Sequence, residues 1–294
     1  MKYAWIRDHR DSYPIAAMCR VLQVSKAGYY AWRDRPPSPR AERTARIQQA
    51  VRRVHTDSHG IFGSVKITKM LAQSPDRERA CRNTVAKAMR ELGLKGVVPQ
   101  PFKPITTAVD PSHKAAPNTL AQNFSADAPN RKWVTDITYL KTAAGWVYLA
   151  VVLDLFSRKV VGWHLGASLA TELVATALRN AIESRRPTGK ELLHHSDRGC
   201  QYTSEAYQRM LQSLGIECSM SRTGCCYDNA VMERFFWSLK HEWTNHHEFA
   251  DEAAARLSVF KYIETFYNSE RLHQSLNYLT PNQFEAINAP TSAA

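Results

Sequence analysis

The spacing of the hydrophobic residues changes near residue 131, and the change divides the chain into two parts. Before it, apolar residues recur three or four positions apart, which is typical of amphipathic helices. After it, blocks rich in Val, Trp, Tyr and Thr predict β-strands. We therefore expect an all-α region followed by an α/β region. The helical stripes are Ile15, Met18, Cys19 and Leu22; Ile47, Ala50, Val51 and Val54; Ile67, Met70 and Leu71; and Val85, Met89 and Leu92.

A first helix-turn-helix-like segment is predicted within residues 1–40. Ser12 and Ser25 are candidate N-caps of two short helices, because a serine hydroxyl accepts a hydrogen bond from a free N–H group of the first helical turn. Two short helices joined by a tight turn form a common DNA-binding motif. The sequence RPPSPR then interrupts the helical pattern.

A second helix-turn-helix-like unit is predicted over residues 41–98. Asn83 is a candidate N-cap of its last helix, and Gly93 is the residue expected to end that helix, since glycine adopts the left-handed conformation of a C-terminal cap. Residues 99–130 contain repeated prolines and little periodicity. We expect a linker or an extended arm there.

An α/β domain is predicted over residues 131–294. Its first three strands, with turns at Gly145 and at Ser157-Arg158, indicate an antiparallel meander. The full order βββαβαβα is that of a ribonuclease-H-like domain, an α/β fold with a mixed five-stranded sheet and helices. The expected strands are Lys132–Leu140, Trp146–Asp154, Lys159–Leu165, Glu191–His195 and Ile216–Met220, followed by a helix from about Asp228 to Trp243, a tail helix near 251–267 and an irregular end. Trp133, Trp146 and Trp163 are expected in the core rather than as surfaces on which bases stack.

The net charge of +12 is confined to the first part of the chain. Residues 1–130 carry 22 Lys and Arg against 10 Asp and Glu, whereas residues 131–294 carry 17 of each. A basic region joined to a neutral one indicates a nucleic-acid-binding half and a half with another task. The basic residues that lie off the apolar stripes, and so are candidates for phosphate contacts, are Lys66, Lys69, Arg82, Lys87 and Arg90.

Membrane and secreted classes do not fit the sequence. The longest apolar run, 146–153, is too short to span a bilayer, and the charged N-terminus does not resemble a signal peptide. The six cysteines contain no C-x-x-C pair. We expect a cytoplasmic, nucleoid-associated protein with reduced thiols.

Three carboxylates stand out by their positions, and one of them, Asp197, follows the carboxyl end of a strand, where α/β sheets commonly place ligand sites. Asp136 is in the middle of the first strand, Asp197 follows the fourth strand, and Glu233 is one turn into the helix that begins near Asp228. Two Mg²⁺ ions, with Mn²⁺ as a substitute, are the cofactor that such a set of oxygen ligands suits, and a two-metal site supports phosphoryl transfer on DNA.

The helix that carries Glu233 has a second polar residue on the same side. Lys240 is seven residues, or two turns, after Glu233, and Asn229 is four residues before it. Both Lys240 and Asn229 are candidates for contacts with DNA. A carboxylate for metal and an ammonium group for DNA phosphate would then line one groove. The alternative is a plain surface ion pair.

The spacing of the three acids and the sequence around them resemble a known family. There are 60 residues between Asp136 and Asp197 and 35 between Asp197 and Glu233, as in the DDE motif of retroviral integrases and related bacterial transposases. The segments WVTDITYL, HHSDRGCQYTS, YDNAVMERFFWSLKHEW and YNSERLHQSLNYLTPNQFE resemble the integrase-core half of the transposase encoded by the second reading frame of a large insertion-sequence family.

The resemblance implies a function that goes beyond the residues themselves. It implies binding to terminal inverted repeats and target DNA, Mg²⁺-dependent cutting and joining, assembly as a homo-oligomer on DNA, and fusion or association with a protein from an upstream frame. The tail residues Tyr267, Asn268, Arg271 and His273 match a family motif and are expected either to contact DNA or to pack over the active site. We place Arg271 among the DNA contacts. Asp154 is expected to be structural rather than a fourth catalytic acid.

Two other functions are compatible with the same residues. One is a ribonuclease-H-like nuclease that cuts DNA without joining it. The other is a DNA-binding regulator whose ribonuclease-H-like domain is inactive, although the intact triad and Lys240 argue against it.

The uneven charge generates a prediction about DNA affinity. A fragment of residues 1–130 should bind DNA with an affinity that falls steeply as salt increases, because basic side chains displace condensed counterions from DNA. Residues 131–294 alone should bind weakly. Fluorescence anisotropy at several salt concentrations measures both, and equal binding by the two fragments would contradict the charge argument.

Overall fold

The computed structural model describes residues 1–73, 79–97, 116–187 and 191–288. Its helices are α1 (Lys2–Asp8), α2 (Ile15–Val21), α3 (Lys26–Arg33), α4 (Pro39–Asp57), α5 (Ser64–Gln73), α6 (Arg82–Glu91), α7 (Thr171–Arg185), α8 (Cys200–Thr203), α9 (Glu205–Ser213), α10 (Ala230–Glu242), α11 (Glu252–Phe260) and α12 (Pro281–Asn288). Its strands are β1 (Lys132–Thr142), β2 (Gly145–Asp154), β3 (Val160–Gly166), β4 (Leu193–Ser196) and β5 (Glu217–Met220). The predicted linker between 99 and 115 lies outside the described residues.

The first helical unit contains three helices rather than two. Helix α1 was not expected, and its Ile6 is buried against α2 and α3. Ser25 caps α3 as predicted, since its hydroxyl accepts a hydrogen bond from the N–H of Gly28 at 2.9 Å. The prediction for Ser12 is wrong, because α2 begins after Pro14, whose fixed φ suits the entry to a helix.

The second helical unit follows the predicted stripes closely. Ile47, Ala50, Val51 and Val54 are buried on α4, and the stripes of α5 and α6 pack against them. The N-cap of α6 is Cys81 rather than Asn83. Gly93 follows the end of α6 with a φ of +69°, as expected for a residue that ends a helix.

The predicted fold class is confirmed. The sheet has five strands in the order β3-β2-β1-β4-β5, with β1, β2 and β3 antiparallel and β4 and β5 parallel to β1. One face packs against α7, α8 and α9, and the other against α10, α11 and the second helical unit. This mixed sheet with helices on both faces places Asp136 on its central strand.

The C-terminal region is more regular than the sequence suggested. The α-helical part of the tail, α11, ends at Phe260, and the chain continues as a π-helical turn over Lys261–Tyr267. The prediction of an irregular end is wrong, because α12 forms and its Glu285 binds Arg185 through two hydrogen bonds of 2.8 Å. Arg185 comes from α7, so the pairing has no signal in the local sequence.

The second helical unit packs on the back of α10. The ring of His59 meets the edge of Trp243 at 4.8 Å between centroids, and Phe62 lies 6.3 Å from Phe266. Residues 116–130, the described part of the predicted linker, also lie on the core, where Leu120 is buried. Within the described ranges no helix has the length and apolar character needed to cross a membrane.

The packing of β3 against α7 generates a prediction about stability. A Cβ atom at Gly162 would meet the carbonyl oxygen of Ala177 and lie 2.5 Å from the backbone nitrogen of Ala181. Gly162→Ala should lower the free energy of unfolding by about 2 kcal/mol, because neither backbone atom can move aside easily. Gly166→Ala on the same strand is the control, since its nearest neighbour would be a leucine methyl at 3.6 Å. Urea denaturation measures both, and equal losses would contradict this account of the contact.

Candidate active site

Two aspartates stand side by side where two parallel strands separate. The last residues paired between β1 and β4 are Val134 and His195. Asp136 and Asp197 each lie two residues further along the chain, at the carboxyl side of this short ladder. The opening between adjacent strands of an α/β sheet is a common ligand site.

Helix α10 brings the third acid to the same opening. Its apolar stripe, which includes Met232, Phe235 and Leu239, is buried against the sheet. Glu233 follows Met232 and points away from this stripe, so its carboxylate is exposed on the first turn of the helix. The negative charges of Asp197 and Glu233 both raise the pKa of Asp136, which shows that the three groups share one electrostatic environment.

Burial makes the ionised carboxylates of the site energetically unfavourable unless a cation is bound near them. The pKa of Asp136 lies well above its ordinary value, first because of burial and then because of Asp197 and Glu233. Burial also raises the pKa of Asp197 and that of Glu233. Carboxylates with raised pKa values that lie near one another are a set of hard oxygen donors that a divalent cation would stabilise.

Two of these carboxylates also have backbone partners. One oxygen of Asp136 accepts a hydrogen bond from the N–H of Ile137 at 2.8 Å, and one oxygen of Asp197 accepts from the N–H of Gly199 at 2.9 Å. In this arrangement the described residues do not form a group of three or more ligands close enough to hold one ion. Each of the two aspartates keeps a second carboxylate oxygen that is not engaged in these backbone hydrogen bonds.

Lys240 lies beside the acids on the side of β1. Its ammonium group stands 4.5 Å from the centroid of the Tyr139 ring. Burial lowers the pKa of Lys240, while the carboxylate of Asp136 acts in the opposite direction. A half-buried cation next to an acidic group suits a phosphate that approaches both.

Asn229 is not on an exposed DNA-contacting surface. It is 6% exposed, and its amide nitrogen donates to the carbonyl oxygen of Thr135 at 3.1 Å. Thr135 is the first residue beyond the paired part of β1 and β4, so this bond ties the start of α10 to β1 next to Asp136. The side-chain oxygen of Asn229 is buried without a protein partner. We therefore correct its role from DNA contact to support of the acidic site.

Asp228 is an organising residue that the sequence did not reveal. Its carboxylate accepts hydrogen bonds from Arg222, from the thiol of Cys225, and from Asn118 and Gln122 of the arm that leads into β1. These donors hold the pKa of the Asp228 carboxyl far below its usual range. Its place next to Asn229, at the start of a helix, was the only signal available in the sequence.

The remaining basic candidates divide into two groups. Arg82, Lys87 and Arg90 are exposed on α6, and Lys69 is exposed on α5 with its ammonium group 5.1 Å from the ring of Tyr278. Lys66 instead points into the contact with the core, near Arg271 and Glu242, and burial lowers its pKa to about 8. The expectation that Lys66 meets DNA phosphate is not supported by this orientation.

Arg271 is a buried structural residue, and its assignment as a DNA contact is wrong. It is 6% exposed and donates two hydrogen bonds of 2.6 Å to the carboxylate of Glu242 on α10. Tyr267 and His273 pack beside it, with ring centroids 4.9 Å apart. The tail motif packs against the end of α10 at Glu242, which differs both from DNA contact and from the expected packing over the active site.

Asp154 is structural, as expected. It is fully buried and accepts hydrogen bonds from the N–H groups of Asn130 and Phe156. The three tryptophans differ from one another. Trp133 is fully buried, Trp163 is partly exposed, and Trp146 is 52% exposed, so the prediction that all three lie in the core is wrong for Trp146.

Matches to family models define the class of protein. Residues 126–226 and residues 214–281 match models described as an integrase core domain, and residues 42–102 match one described as an HTH-like domain. The first core match contains Asp136 and Asp197, and the second contains Glu233. The molecule is therefore an integrase-core protein with an HTH-like domain before the core.

Relatives that match along almost the whole chain define the family. The chain is 39% identical over 290 residues to Transposase InsF for insertion sequence IS3A of Escherichia coli (strain K12), which covers 98% of this chain and 99% of the relative. It is 36% identical over 267 residues to the Insertion element IS600 uncharacterized 31 kDa protein of Shigella sonnei, covering 91% of this chain and 97% of that one. The chain belongs to the IS3 family of insertion-sequence transposases.

Solved structures with partial similarity come from viral integrases. A simian T-cell lymphotropic virus intasome in complex with PP2A regulatory subunit B56 gamma has a TM-score of 0.47 at 16% identity, over 82% of this chain and 76% of that chain. The HTLV-2 integrase catalytic core domain in complex with magnesium has a TM-score of 0.41 at 20% identity, over 53% of this chain and 97% of that chain.

The ion pair between Arg271 and Glu242 generates a prediction. Arg271→Ala should lower the free energy of unfolding by about 3 kcal/mol or more, because it leaves the buried Glu242 carboxylate without its partner. The double variant Arg271→Met with Glu242→Leu should recover part of that loss, since both members of the buried ion pair are then removed together. Urea denaturation of both variants, with Lys69→Ala as a control for an exposed cation, provides the comparison. Equal stability of Arg271→Ala and Lys69→Ala would contradict the structural role.

Proposed function

We propose that this chain cuts and joins DNA at the ends of an insertion sequence, with Asp136, Asp197 and Glu233 as the catalytic acids. The observation that supports the proposal is the placement of Asp136 and Asp197 two residues beyond the last paired residues of β1 and β4, together with the electrostatic effect of Asp197 and Glu233 on Asp136. Membership of the transposase family supports the same reaction class, a polynucleotidyl transfer on DNA.

The three acids would hold two Mg²⁺ ions, with Mn²⁺ as a substitute. Their chemistry fits, because Mg²⁺ prefers oxygen ligands and a cation would stabilise the ionised form of Asp136, whose pKa is raised first by burial and then by the charges of Asp197 and Glu233. The bound ions would supply Lewis-acid stabilisation of the attacking and leaving oxygens of a phosphodiester. The amide nitrogen of Asn229 donates to the carbonyl oxygen of Thr135 beside Asp136, and this bond would hold the start of α10 at the same opening.

The proposed reaction has two chemically similar steps. In the first, water attacks a phosphodiester at the end of the element, and the bond from phosphorus to the 3′ oxygen breaks to free a 3′-hydroxyl. In the second, that 3′-hydroxyl attacks another phosphodiester, a new bond from phosphorus to oxygen forms, and the displaced 3′ oxygen leaves. Lys240 would orient the phosphate beside the acids, because its ammonium group lies next to Asp136.

DNA affinity would come mainly from the first half of the chain. Arg82, Lys87, Arg90 and Lys69 are exposed on the unit that matches the HTH-like domain. We propose that this unit binds terminal inverted repeats, that the core receives both the element end and the target DNA, and that the working assembly is a homo-oligomer joined by or fused to an upstream-frame protein. A regulator with an inactive core is the second candidate, and the intact set of acids disfavours it.

Two substitutions on α10 test the proposal. Glu233→Gln keeps the shape of the side chain but removes a charge that would bind metal, so cutting and joining should each fall by at least about a hundredfold while DNA binding persists. Lys240→Ala should weaken binding and strand transfer by about tenfold, which corresponds to the loss of one charge-assisted hydrogen bond. Strand transfer in Mg²⁺ and gel-shift binding are measured on each variant.

Matched controls separate these effects from misfolding. Glu205→Gln and Lys261→Ala change exposed residues of the same types on α9 and in the π-helical turn, away from the site. Both should retain full activity. Full activity in Glu233→Gln would refute the proposed metal site, and a normal Lys240→Ala would assign that lysine to an ordinary solvated surface.

A further inference from the structure

An exposed aromatic pair lies next to the acidic site. Tyr139 is 49% exposed and Trp146 is 52% exposed, and their rings meet edge to face with centroids 5.2 Å apart. The pair is built by the register of the β1–β2 hairpin, in which Tyr139 pairs with Tyr148 and Trp146 is the diagonal neighbour two residues away. Large aromatic rings held this way by two strands form a rigid surface.

The pair is continuous with the catalytic centre through Lys240. The ammonium group of Lys240 lies 4.5 Å from the centre of the Tyr139 ring, and the same lysine interacts electrostatically with Asp136. Tyr139 is three residues beyond Asp136 on β1, about 10 Å along the strand, and this odd separation points the two side chains to opposite faces of the strand, so Lys240 is the contact that joins them. This separation is on the scale of one to two nucleotides of a single strand.

The charge around the rings is positive. Lys141 is exposed two residues after Tyr139, so it projects from the same face of β1. Aromatic rings combined with lysines form the usual surface for single-stranded nucleic acid, because the rings stack on bases and the cations meet the backbone. The chemistry of the patch therefore favours an anionic strand with unpaired bases over an apolar protein surface.

We propose that Tyr139 and Trp146 form a stacking platform for an unpaired nucleobase of the DNA strand whose phosphate lies at the acidic site. The inference rests on the proposed function, since it assumes that a DNA strand reaches Asp136. A base stacked on the platform would be separated from its complementary strand, and Lys240 would contact the backbone between this base and the reacting phosphate. The platform would thus set the position of the strand before cutting or joining.

The experiment compares single-stranded and duplex DNA on the full chain. The probes are a fluorescent mixed-sequence oligonucleotide of about 20 nucleotides and its duplex, with Ca²⁺ replacing Mg²⁺ so that binding is followed without turnover. The double variant Tyr139→Ala with Trp146→Ala should bind the single strand about tenfold more weakly. It should bind the duplex within about twofold of the unsubstituted chain, because duplex affinity comes mainly from phosphate contacts.

Two further variants define what the rings contribute. Tyr139→Phe with Trp146→Phe keeps aromatic faces and should restore most of the single-strand affinity. Phe260→Ala removes a ring that is 47% exposed on α11 and is the control for loss of an exposed aromatic. A 2-aminopurine base in the single strand should be quenched by the unsubstituted chain and by the phenylalanine variant, but not by the alanine variant.

Each outcome decides the proposal. Unchanged single-strand binding in the alanine variant would overturn it, and so would an equal loss for single strand and duplex. If the alanine variant sediments differently from the unsubstituted chain but binds the single strand equally well, the platform proposal is overturned. The rings would then contact a second copy of the chain. Failure of the platform leaves the proposed function intact if Glu233→Gln still abolishes strand transfer, so the two proposals are tested separately.

Discussion

The structure of the site depends on the short parallel ladder between β1 and β4. Because pairing stops at Val134 and His195, the two strands separate just where Asp136 and Asp197 occur. The same separation leaves the carbonyl group of Thr135 free to accept a hydrogen bond from Asn229. A longer ladder would close the opening and satisfy that carbonyl within the sheet. The end of strand pairing therefore creates the space for the acids and the anchor for the helix that supplies the third one.

Helix α10 is held from both ends by buried polar contacts. At its start, the carboxylate of Asp228 accepts hydrogen bonds from side chains of the arm and of the preceding loop. The neighbouring Asn229 donates a hydrogen bond to the backbone of β1. Near its end, Glu242 pairs with Arg271 of the tail. Buried charges of this kind contribute little net stability compared with apolar packing, but the loss of one partner is costly. They fix the rotation and position of the helix, which determine where Glu233 and Lys240 lie.

The packing of the chain joins the HTH-like unit to the integrase core at this helix. His59 and Phe62 contact Trp243 and Phe266 behind α10. The arm that begins at residue 116 contains Asn118 and Gln122, whose side chains donate hydrogen bonds to the carboxylate of Asp228. Both connections from the first half of the chain thus converge on the element that carries Glu233. The exposed rings of Tyr139 and Trp146 lie on the other side of Lys240, at the open edge of the same site.

The sequence alone determined the features that depend on neighbours along the chain. Hydrophobic periodicity predicted the helices of the second unit, the antiparallel meander and the βββαβαβα order, and the positions of Asp136, Asp197 and Glu233 on these elements suggested one site. Only the tertiary structure decided the roles that depend on distant partners. Arg271 and Asn229 look like surface polar groups in the sequence, but they are buried because Glu242 and the carbonyl of Thr135 satisfy them. Trp146 looks like a core residue, but its side chain remains half exposed at the end of the β1–β2 hairpin. Local patterns encode which face of an element is apolar, whereas burial of a polar group requires a partner that only folding brings within hydrogen-bonding distance.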